Sequence, residues 1–123
     1  MEHCPVAAMA AQASLIIRRR LYLETRDAAA FDLLDRRLAS IEDSAWRIPA
    51  ASAHGGVYQL ILGYDSIART MDESDLPRAP REHLSRGMVA LLHAAEALHT
   101  PDMDALFSHY LLREHDPGAL ATA

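Results

Sequence analysis

The sequence predicts an all-α protein, a single helical bundle of four main helices plus a short C-terminal helix. Three observations carry this. Every long segment repeats its apolar residues at steps of three and four, and none alternates with the period of a strand. The breaks between segments are short and marked by proline or capping residues, which favours antiparallel neighbours. A chain of 123 residues fits one domain, and at that size it buries about two-thirds of its unfolded surface. The helical domain is expected over residues 1–116, with a loose tail over 117–123.

Pro5 can open the first helix, because the N–H it lacks is not needed in a first turn. That helix runs to about Thr25, with Val6, Met9, Ala10, Ala13, Ile16 and Ile17 on one stripe. Beyond Ile17 the apolar Leu21, Tyr22 and Leu23 spread around the cylinder, so this end touches neighbours on more than one side. Asp27 caps a second helix to about Trp46, whose Phe31, Leu34, Leu38, Ile41 and Ala45 make a narrow seam. Pro49 sets the next turn. Ser52 then caps a third helix over 53–71, and its Val57, Leu60, Ile61, Tyr64, Ile67, Ala68 and Met71 form the clearest stripe in the chain. Gly56 and Gly63 fall beside that stripe, where a neighbouring backbone could come close. The seams of the second and third helices are expected to form the centre of the bundle.

Asp72–Pro80 (DESDLPRAP) reads as an acidic linker interrupted twice by proline. A fourth helix follows to about Leu98, with Leu84, Met88, Leu91, Ala95 and Leu98 in register. Thr100-Pro101 has the form of a cap followed by a first-turn proline. The short fifth helix that it starts turns Met103, Leu106, Phe107, Tyr110 and Leu111 inward and ends at Asp116-Pro117-Gly118.

The stretch 29–67, AAFDLLDRRLASIEDSAWRIPAASAHGGVYQLILGYDSI, resembles small uncharacterised helical proteins of bacterial and prophage-like gene sets. In those, an acidic-basic helix leads through a Pro-Ala-Ser/Thr turn into an Ala/Gly-Val helix. The resemblance covers about a third of the chain and implies a helix–turn–helix junction. It brings no catalytic residues with it.

Composition narrows the function classes. Half the residues are apolar and the formal net charge is −5, which suits a folded protein and argues against one that lives by gripping phosphates. Residues 1–61 carry seven Arg and seven Asp or Glu, whereas residues 62–123 carry five Arg and ten acids together with five of the seven histidines. The single Cys4 cannot form an internal disulfide. Met1-Glu2-His3 precedes the first apolar run and the arginines follow it, the reverse of a signal peptide, and the run from Cys4 to Ile17 is shorter than a bilayer requires. A cytoplasmic protein with no membrane span is expected.

Arg18, Arg19 and Arg20 interrupt the apolar first helix. Successive helical residues turn by about 100°, so the three span roughly 200° and cannot all face one ligand. Arg20 falls near the apolar stripe, with Glu24 one turn on as its expected partner. Arg18 and Arg19 join Arg26, Arg36 and Arg37 as a basic patch across the first two helices, with Glu24, Asp27, Asp32 and Asp35 interleaved. Such a patch suits a protein partner better than DNA, whose affinity comes from many phosphate contacts.

Two rival site readings stand beside it. Glu96-x-x-His99 is one copy of a motif that di-iron bundles carry twice, and it could form a metal site with His109 from the fifth helix. Ala94–Tyr110 has the outline of a C-terminal helix-turn-helix, so a DNA-associated regulator is the second rival, although Asp102 and Asp104 would repel phosphate. His54-Gly55-Gly56 could offer free amides to an anion at a helix start. No phosphate loop, nucleophile elbow or Cys-His spacing points to catalysis, and no cofactor is expected. The function read from the sequence is a non-enzymatic protein–protein interaction or regulatory module acting as a homodimer or with a protein partner. Its candidate contact residues are Arg18, Arg19, Leu21, Tyr22, Leu23, Arg26, Arg36 and Arg37.

Overall fold

A computed structural model describes residues 4–112 of the chain. The expected tail over 117–123 and the helix end at Asp116-Pro117-Gly118 lie outside the described residues. Four long helices, α1 (Pro5–Leu23), α2 (Ala28–Ala45), α3 (Ala53–Glu73) and α4 (Arg78–Ala97), precede a short α5 (Asp104–Phe107). A 3-10 turn, Pro101–Met103, leads into α5, and a π turn, Ser108–Leu112, continues it. No strand occurs among the described residues.

Two of the three expected caps do their work, whereas the Thr100 side chain makes no cap hydrogen bond and turns to Asp102. Asp27 accepts a hydrogen bond from the Ala30 N–H at 3.0 Å, and Ser52 accepts one from Gly55 at 3.1 Å. Each satisfies one of the amides that a helix start leaves without an internal partner. The linker is shorter than the sequence suggests, because α4 begins at Arg78 and absorbs Pro80 in its first turn. A proline there sacrifices no helical hydrogen bond, since first-turn amides have no partner within the helix.

The centre of the bundle is α1 and α3, not α2 and α3. Helix α1 packs against α2, α3 and α5, α4 packs on α3, and α2 makes little contact with α3. Val6, Ala10, Ala13, Ile16 and Ile17 of α1 are buried, as are Val57, Tyr58, Ile61, Tyr64, Ala68 and Met71 of α3. Along α2 only Leu38 and Ala45 are fully buried. Its seam is narrow enough to sit on one neighbour, while the stripes of α1 and α3 are broad enough for several. Met103, Leu106, Tyr110 and Leu111 cover α1 and α3 from the C-terminal side.

The close approach that the sequence places at Gly56 and Gly63 occurs instead at Gly55. A Cβ on Gly55 would lie 2.9 Å from the Cys4 sulfur and 3.2 Å from the Ala7 backbone nitrogen, whereas Gly56 has open space around it. Cys4 is buried at this junction and accepts a hydrogen bond from the Ala51 N–H at 3.3 Å. Hydrogen bonds, chiefly with Ser52, lower its thiol pKa to about 7. Gly55→Ala should therefore destabilise the fold by about 1–3 kcal/mol through overpacking. Gly56→Ala should stabilise it by up to ~1 kcal/mol through helix propensity. Urea unfolding of the two variants checks the opposite signs.

Candidate interaction surface

The buried face of α1 settles the fate of the three arginines. Arg20 turns inward and is only 7% exposed. Its guanidinium pairs with Asp35 of α2 rather than with Glu24. The α1–α2 hairpin brings Asp35 across from Arg20, so the partner comes from the facing helix instead of the next turn. The Arg20 guanidinium also lies 5.4 Å from the Phe31 ring centroid, and one of its nitrogens is 3.2 Å from His109 Nδ1. A guanidinium can only donate, so the imidazole nitrogen that faces it is an acceptor. Among the described residues Arg20 Nε is buried with no hydrogen-bond partner.

A second polar link lies one layer away. Tyr110 donates from its hydroxyl to Glu42 Oε2 at 2.6 Å, and the Tyr58 and Tyr110 hydroxyls are 3.4 Å apart. Burial raises the Glu42 pKa, and the nearby charge of Asp65 adds to this against the opposing effects of the Tyr110 hydrogen bond, Arg69 and Arg20. Burial likewise pushes Tyr58 up to about 12 and raises Tyr110.

With Arg20 withdrawn, the outer side of α1 is free of acids and unexpectedly apolar. Ala8, Leu15 and Tyr22 recur at seven-residue steps with Ala11 and Arg19 between them, and all five are exposed. A seven-residue step returns to within about 20° of the same direction, so these residues form one line. Leu15 is 65% exposed and Tyr22 is 56% exposed. On α2, Asp35 and Glu42 mark the side that faces the interior links. Leu33 and Arg37 lie on the opposite flank of the Leu34–Leu38–Ile41 seam, hence on the same outer side of the hairpin as Leu15 and Tyr22.

Arg18, Arg19, Arg26, Arg36 and Arg37 are all exposed, and among the described residues none of the five makes an ion pair. Arg26 donates to the Tyr22 carbonyl at 2.7 Å and stacks 4.2 Å from the Tyr22 ring centroid, which holds the phenol flat at the end of the line. The structure thus unites Arg19, Tyr22, Arg26 and Arg37 on one face. Leu23 is half-buried at its edge. Arg18 and Leu21 turn to the other flank, where they line a 490 Å³ cavity with Asp104, Ser108 and His109 of the C-terminal turns. Leu21 remains 55% exposed there. Leu15 and Leu33 are not among the contact residues that the sequence suggests. The seven-residue spacing of Ala8, Leu15 and Tyr22 is the signal that identifies Leu15.

Glu96, His99 and His109 do not come together. His99 binds Asp104 at 2.7 Å and meets the Phe107 ring edge-on, while His109 faces Arg20. Among the described residues no group of three His, Cys, Asp or Glu could hold a metal ion. In the expected helix-turn-helix the second helix is only the four-residue α5, and its Leu106 is buried. At His54-Gly55-Gly56 the two glycine amides are used, donating to the side chain and the carbonyl of Ser52. No helix among the described residues is long and apolar enough to cross a membrane. No family model, no curated protein and no solved structure matches the chain.

Two measurements test the polar links. Asp35→Ala should cost about 2–3 kcal/mol in urea unfolding, because it leaves a buried guanidinium without its carboxylate. Arg20→Met removes the charge and keeps the volume, so it should cost less. Glu42 has a pKa raised on folding, so its contribution is intact below the unfolded value and is lost as pH rises through the folded one. Glu42→Gln keeps an acceptor for Tyr110 and does not ionise. Its stability relative to wild type should therefore improve as pH rises from about 4 to neutrality, and a constant difference would contradict the burial of that charge.

Proposed function

We propose that this chain is a non-enzymatic protein–protein interaction module of regulatory type that works as a homodimer through the outer face of α1. The observation that carries the reading is the exposure of Leu15, Tyr22 and Leu33 together on one side of the α1–α2 hairpin. Single exposed leucines are ordinary on a soluble protein, but a line of large apolar groups with a shared direction marks a contact surface.

The line is suited to meeting itself. When two copies of α1 cross antiparallel with Leu15 on the two-fold axis, Ala8 of one copy meets Tyr22 of the other, and Ala11 meets Arg19. Small side chains then face large ones on either side of the central Leu15 pair. The two Arg19 positions stand eight residues apart along the axis, about 12 Å, which exceeds the screening length of roughly 8 Å at physiological salt. Arg26 and Arg37 lie further towards the rim, where charge sets register and keeps the separated surface in solution.

Light scattering provides the test. The chain should give twice its 13.6 kDa mass. Leu15→Glu should halve that mass and leave the helical circular dichroism unchanged, since Leu15 faces solvent within the protomer. A wild-type monomer at ~100 µM would overturn the reading, because at that concentration even a contact of about 6 kcal/mol would hold.

A further inference from the structure

Helices α2 and α3 make few direct contacts, and a cleft of 770 Å³ opens between the end of α2, the turn that follows it and α3. It is separate from the outer face of α1. One wall carries Glu42 and Trp46 of α2 with Arg47 beyond it, and the other carries Leu62, Asp65 and Arg69 of α3. Trp46 is the only tryptophan in the chain, and it is 64% exposed at the C-cap of α2.

The charges of the cleft are not balanced. Arg47 is held by Asp43 at 3.2 Å and Arg69 by Asp65 at 2.9 Å, so both cations are already engaged. Glu42 is left over. Its Oε2 accepts from Tyr110, but a carboxylate has about four acceptor sites, and among the described residues no other hydrogen bond fills the remainder. Beside this carboxylate stands the open indole of Trp46. The Arg47 guanidinium lies 5.2 Å from the indole centroid, so the ring already supports one cation. An anion entering the cleft would meet Glu42 with no spare cation to hold it. A cation would find both a carboxylate and an aromatic wall.

We propose that the α2–α3 cleft is a binding site for a small organic cation, an amine whose ammonium group docks on Glu42 while its flat or apolar body lies against Trp46. The surroundings favour such a ligand. Glu42 resists ionisation because it is buried and faces the Asp65 charge, and an incoming ammonium opposes this by favouring the carboxylate. Leu62 and Ile48 supply apolar wall for the body of the ligand.

The position of Trp46 makes the test direct. Phenethylamine, titrated at pH 7 into the full chain with excitation of Trp46 alone, should change the fluorescence saturably below ~10 mM, the range of a contact worth about 3 kcal/mol or more. Phenylacetate, with the same ring and the opposite charge, should give no saturable change. Glu42→Gln should weaken phenethylamine binding at least tenfold while the circular dichroism stays as in wild type. A flat titration with phenethylamine, an equal response to phenylacetate, or unaltered binding by the Glu42→Gln variant would each overturn the proposal. The comparison of the two probes on the wild-type chain needs no variant to fold.

Discussion

A guanidinium taken out of water constrains this structure more than any other single group. Arg20 belongs to the central helix, and its charge must be answered inside the protein, so α2 has to bring Asp35 to it and the C-terminal π turn has to bring His109. This matters because α2 has little apolar burial of its own, with only Leu38 and Ala45 fully enclosed. Its position is fixed by polar links: Arg20 to Asp35, and Tyr110 to Glu42. Links of this kind set direction and register, whereas burial alone would tolerate sliding. They also explain why α2 can stand off from α3 and leave a cleft between them.

The long helices, the caps of α2 and α3 and most core positions are legible in the sequence because they rest on local rules. Asp27 and Ser52 cap the helices that their spacing implies, and five of the seven residues of the α3 stripe are buried, with Leu60 and Ile67 half-buried. What is not legible depends on which helices meet. The i,i+4 rule offers Glu24 to Arg20, but the facing helix supplies Asp35, and nothing within one helix can reveal that. The stripe points to Gly56 and Gly63 rather than Gly55, because the need for a glycine there arises from Cys4 and Ala7, about fifty residues away in sequence. The apolar pattern points to α2 and α3 as the centre because a narrow seam and a broad stripe look alike until the number of neighbours is known.

The same distinction governs the candidate surface. The sequence marks the opening helix as carrying more apolar surface than its own fold encloses, and Leu21 and Tyr22 are indeed exposed. Yet the arginines of the first two helices do not act as one group. Arg20 is structural, Arg18 turns towards the C-terminal turns, and Arg19, Arg26 and Arg37 border the outer line. Consecutive residues on a helix point in different directions, so a run of one residue type seldom makes a single site.

The amide of Gln59 on α3 donates to the carbonyls of Ala45 and Ile48, at 3.1 Å in the first case. Carbonyls at a helix terminus ordinarily turn to solvent and fray. Here a side chain from α3 ties them down, so the last turn of α2 cannot fray without breaking its bonds to α3. The turn that carries Trp46 is thereby anchored to α3 on both sides of the indole, at Ala45 and at Ile48.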